Sequence, residues 1–99
     1  MQRINEYAEE MLEELCGAKG YAEKFLLFKV NGEGIWASRF REMAYDELKH
    51  ADWIHELAVT EIDKLRSIYT PPLEMQEKWD KDHIKYVEKA AWVRQMLDM

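Results

Sequence analysis

Only two places in this chain break a helix: Asn31-Gly32-Glu33-Gly34 and Thr70-Pro71-Pro72. The stretches between them are dense in Ala, Leu, Met, Glu and Lys, which favour helix. No window alternates with the period of two that a half-buried strand requires. The sequence therefore predicts an all-α chain of three helices, over about 2–30, 35–69 and 73–97, forming one domain across 1–99. Asn31 and Gly32 suit the end of helix 1, because both tolerate left-handed backbone angles. Thr70 is placed to cap helix 3, with Pro71 at its first position, where no N–H is needed. Gly17 and Gly20 each cost helix 1 roughly 1 kcal/mol relative to alanine, so any kink is expected there.

Composition narrows what such a bundle can do. With 99 residues, one chain buries only a modest core and gains from a metal or a partner. Asp plus Glu is 20 against 14 Lys plus Arg, a formal charge of −6. That balance argues against nucleic acid, whose phosphates need a basic patch. A single cysteine, Cys16, excludes an internal disulfide framework and fits a reducing compartment. The apolar run Phe25-Leu26-Leu27-Phe28 is far too short to span a membrane, and the first ten residues lack the apolar core of a signal peptide. A cytoplasmic chain with no membrane partner is expected.

Apolar residues spaced by three and four mark the faces expected to pack. Helix 1 carries Ile4, Tyr7, Met11, Glu14, Ala18, Tyr21, Phe25 and Phe28. Helix 2 carries Trp36, Phe40, Met43, Glu47, His50, Ile54 and Leu57, beside a seam of Ala37, Ala44, Ala51 and Ala58 at every seventh residue. The seam lets two helices approach closely. Helix 3 carries Trp79, His83, Tyr86 or Val87, Ala90, Val93 and Leu97. At 1.5 Å per residue, helix 2 is roughly 50 Å long, too long for two shorter helices to cover. Its apolar flank predicts a partner, most simply a second copy.

Three residues are out of place on those faces. Glu14 interrupts the stripe of helix 1, and Glu47 and His50 interrupt that of helix 2. An unpaired carboxylate there costs several kcal/mol or is forced neutral, so something must compensate. Glu-x-x-His puts both side chains on one face, nearly one turn apart, where together they can hold one ion. Oxygen and nitrogen donors suit iron, manganese or zinc. Folding helices 1 and 2 into an antiparallel hairpin brings Glu14 and Glu47 to nearly the same height. The plainer alternative is a half-buried Glu paired with one of the many lysines and arginines.

The pattern Glu14-x6-Tyr21 followed by Glu47-x2-His50-Ala51 resembles the first two helices of ferritin-like and rubrerythrin-like proteins, over about residues 4–58. The resemblance implies a bridging Glu14, with Tyr21 two turns on and bonded to a ligating carboxylate, and a ligating Glu47 and His50. It also implies a pair of metal ions, most readily iron. A full member has four helices, with a Glu from each of two and Glu-x-x-His from each of the other two. This chain offers one set, which implies a ferritin-like bundle completed by homodimerisation or higher homo-oligomerisation. Small encapsulated ferritins, half-size chains with the site across a dimer interface, are similar, as are small phage-type ferritin-like proteins. No obvious shell-targeting tail follows Val93, so a host shell is not specified.

Asp80 and His83 have a carboxylate-x-x-His spacing of their own. They can complete a site within one chain, or act behind the ligands as hydrogen-bond partners. Read plainly, Asp80 offsets a helix dipole and His83 is a core or interface histidine. His55 is expected at the surface or an interface, Trp53 and Trp92 in interface or groove packing, Cys16 as a small buried or interface hydrophobe, and Glu61 in solvent. Two functions fit. One is oxidation of Fe(II) by oxygen or peroxide at a dinuclear carboxylate site, a ferroxidase-type oxidoreductase activity. The other is a metal-free helical interaction or structural module on the same scaffold.

Overall fold

The structure is a computed structural model that describes the backbone of residues 2–99 and the side chains of residues 3–99; Met1, part of the domain read from the sequence, lies outside it. Three helices, α1 (Gln2–Val30), α2 (Gly34–Arg66) and α3 (Leu73–Leu97), account for nearly all of it, with no strand among the described residues. α1 runs as one helix through Gly17 and Gly20. It ends in a Schellman motif: Gly32 N–H donates to Lys29 C=O and Glu33 N–H to Phe28 C=O. Gly32 has φ +75°, the left-handed angle this cap requires.

The second turn departs from expectation. α2 stops at Arg66, three residues early, and the N–H groups of Ile68 and Tyr69 fold back onto Leu65 C=O. A residue before proline is pushed out of the helical region. That keeps a helix from running through Thr70 into the two prolines. Thr70 therefore caps nothing; Pro72, with ψ 143°, takes the position before α3 and no side chain caps it.

The helices form an up-down-up rod of 55 × 18 × 17 Å. Its radius of gyration is 16.0 Å, against about 13 Å for a compact chain of this length. α1 packs on both partners, while α3 meets α2 chiefly through side chains. Those links keep a strict antiparallel register: Asp52 with Tyr86, His55 with His83 and Arg41 with Leu97 each lie symmetrically about Tyr69. On α3, Lys78 Nζ donates to the buried Asp82 at 2.7 Å and reaches Glu9 of α1 at 4.0 Å.

The core corrects the phase of the stripes. On α2 the buried residues are Ala37, Ala44, Leu48, Ala51, Ala58 and Ile62. The seam faces α1, and Trp36, Met43 and Leu57, expected inside, lie exposed on the flank. On α1 the buried line is Ile4, Ala8, Met11, Leu15, Ala18, Ala22 and Phe25, so Glu14 sits at its edge and not in its middle. Two long helices in close contact must put small side chains between their axes. The large ones are displaced to the rim, and α3 covers only one rim.

Candidate metal centre

Glu14 of α1 and Glu47 and His50 of α2 meet on the rim of the hairpin that α3 leaves open. One donor atom from each lies within 4.8 Å of the others, and no other such group of acids, histidines and cysteine occurs among the described residues. His50 Nδ1 is 3.6 Å from Glu14 Oε2 and 3.8 Å from Glu47 Oε1. Two donors on one ion with bonds of 2.0–2.2 Å lie at most about 4.4 Å apart. The spacing thus needs little closure to hold a cation. The side chains of Glu14, Glu47 and His50 are 31%, 26% and 46% exposed in the single chain, so the site is neither in bulk water nor in the dry core.

The electrostatics are unbalanced. No Lys or Arg pairs with Glu14 or Glu47 among the described residues; their nearby ionisable partner of opposite sign is His50. Glu47's carboxyl is held above its ordinary range by a hydrogen bond with Glu14, then by burial and by Glu14's charge, while His50 pulls it down. Two carboxyls this close repel each other when both are charged, and a bound cation would offset that repulsion. The plainer reading, quiet salt links to basic neighbours, does not describe this cluster.

Aromatic packing continues the rim. Phe40 stacks on Phe28 at 5.4 Å and on Tyr21 at 6.2 Å, with Lys24 Nζ over both Tyr21 and Phe40. Tyr21 makes no hydrogen bond to Glu14 or Glu47 among the described residues; its contacts are with Phe40 and Lys24. Trp53 leans on His50 at 6.0 Å and is 59% exposed.

The carboxylate-x-x-His of α3 does not join this site. Asp80 is exposed and accepts a hydrogen bond from Gln76 at 2.9 Å. His83 stacks on His55 at 5.0 Å, on the α3 side of α2. An intrachain site built on Asp80 and His83 is therefore set aside, because α3 packs on the wrong rim. Sequence reasoning missed the cluster around His55, which also includes Trp79 at 6.0 Å and Tyr86 at 4.6 Å. His55 Nε2 is buried with no partner, and burial, then His83, hold its pKa below the ordinary value. The Tyr86 hydroxyl donates to Asp52, which also takes Arg94 at 3.0 Å. Burial, then that bond, push the Tyr86 phenol up to about 12.

Cys16, expected buried or at an interface, is exposed. It is one step past the buried Leu15, in a groove between α1 and α3 with Trp92 and Lys89, whose Nζ is 4.0 Å from the thiol. Glu61 is half-buried beside Lys64 at 3.7 Å. No helix is long and apolar enough to cross a membrane among the described residues. Comparison with protein-family models, with curated proteins and with solved structures finds no match for this chain.

Proposed function

We propose that this chain is half of a ferritin-like dimetal centre, completed by a second copy of itself, which oxidises Fe(II) with oxygen or peroxide. The observation that carries the reading is the pairing of Glu14 with Glu47 and no basic residue but His50. Two carboxyls forced together without a cationic side chain form a site that a divalent cation relieves. Glu14 is the bridging group in this reading, and Glu47 and His50 are the terminal donors.

The donor set suits iron, with manganese or zinc as competitors. Two Fe(II) ions held there would supply two electrons, which with two protons from water take oxygen to hydrogen peroxide or hydrogen peroxide to two waters. The chain's own residues would bind and orient the ions, and their carboxylates and imidazole must be deprotonated to do so. Trp36, Met43, Trp53 and Leu57 exclude water once a second copy lies across them. A two-fold axis there repeats each donor, giving four carboxylates and two imidazoles. The exposed aromatic flank also favours the second reading, a helical module that pairs through this face without metal.

Metal content and mass of the purified protein in solution separate the readings. About one iron or manganese per chain in a dimer is expected, with Fe(II)-dependent oxygen or peroxide consumption. Glu47→Ala is expected to abolish both. A dimer that takes up no metal after Fe(II) addition leaves only the interaction module; a stable metal-free monomer removes both readings.

A further inference from the structure

Two glycines lie within α1, and they meet different surroundings. A Cβ built on Gly17 would lie 3.1 Å from Glu47 Oε2, 3.6 Å from Cδ and 3.8 Å from Cγ. A Cβ built on Gly20 would meet nothing within 4 Å. Gly17 is three residues after Glu14, so it shares that residue's side of α1. The nearest atoms to its missing side chain all belong to the Glu47 side chain, and none to the backbone of α2. The space at Gly17 therefore seats a carboxylate; it does not set the distance between helices. With Oε2 against α1, Glu47 keeps Oε1 toward His50.

We infer that Gly17 is a positioning residue for the metal site: its bare backbone fixes where the Glu47 carboxylate sits, and so where the second carboxylate donor points. The inference rests on the reading of Glu14, Glu47 and His50 as metal ligands. A methyl group at 17 displaces only the end of a flexible side chain, so the fold absorbs it. The site does not, because a donor moved by a few tenths of an ångström no longer converges with the other two. Helix propensity acts in the opposite direction and favours alanine at both positions.

The test compares Gly17→Ala with Gly20→Ala in the full chain. Both variants are expected to raise the melting temperature of the metal-free protein by about 4 °C or more. Anaerobic Fe(II) titration by calorimetry should then separate them. Gly17→Ala is expected to bind at least about tenfold more weakly than wild type, and Gly20→Ala to bind like wild type. Co(II) added in place of Fe(II) should give altered visible bands in Gly17→Ala alone, because those bands follow donor geometry. Equal Fe(II) affinity in all three proteins overturns the positioning role and leaves the metal site standing. A Gly17→Ala protein less stable than wild type without metal also overturns it, since the cost would then lie in helix packing. A wild-type chain that binds neither ion removes the reading on which the inference rests.

Discussion

The two rims of α2 carry similar side chains and treat them differently. On the rim covered by α3, Asp52 is matched by Tyr86 and Arg94, and His55 is sandwiched among Trp79, His83 and Tyr86. On the open rim, Glu47 faces another acid, and His50 is flanked by a tryptophan that is mostly in water. One rim is covered within the chain, with His55 Nε2 as its one buried polar side-chain atom left without a partner among the described residues. The other has its aromatic wall and its acidic centre but lacks the groups that would balance them. Polar residues at a packed helix edge thus mean little by type alone; what distinguishes a site is whether their partners are already present.

The two tryptophans give the largest test of that contrast. Trp79 is 7% exposed and Trp53 is 59% exposed. Trp79→Ala is expected to cost about 3–5 kcal/mol in chemical denaturation. Trp53→Ala should change the stability of a lone chain by about 0.5 kcal/mol or less, yet weaken the proposed self-association at least about tenfold by sedimentation. Equal effects of the two on folding would erase the distinction between the rims.

Acid sharpens it, with opposite signs. His55 has a folded pKa below 6.5, so the folded state holds fewer protons than the unfolded one. Its contribution to stability is present above 6.5 and is lost as pH falls below 6.5 through the lowered value. His55→Phe keeps the stack, removes the orphaned Nε2, and is expected to flatten that slope and stabilise by about 1 kcal/mol. Glu47 has a folded pKa above 4.5, so the metal-free protein is favoured in mild acid and loses that contribution as pH rises from 4.5 through the raised value. Glu47→Gln should flatten this second slope and leave the first. Denaturation of the metal-free variants across pH 4 to 8 checks both.

The smallest effect concerns the covered rim alone. Asp52→Asn is expected to move the Tyr86 phenol down from about 12 toward its ordinary 10 in ultraviolet titration, though burial keeps it above that value. No shift at all would mean that Asp52 does not hold the hydroxyl.

Much of this was legible in the chain. The breakers fixed three helices, and counting outward from Asn31–Gly34 put Glu14 and Glu47 at one height. Counting outward from Tyr69 would likewise have paired Asp52 with Tyr86 and His55 with His83, a signal present but unused. The burial phase was not legible from hydrophobicity. Weighting residues by size selects Trp36, Phe40 and Met43 as the inner face of α2, whereas close-packed helices bury the alanines. Thr70 misled for a related reason. Its side chain suits a cap, but the paired prolines dictate the backbone. The burial of Asp82 was not legible either, although Lys78, one turn before it, is the partner that permits it.

The alanine seam has a consequence beyond packing. Ala44 and Ala51, on either side of Glu47, are wholly enclosed and present only methyl groups to α1. They act as the gauge blocks of the hairpin. Their thickness decides how far a glutamate on one rod must reach to meet one on the other, so residues that touch no ligand hold the tolerance of the acidic gap.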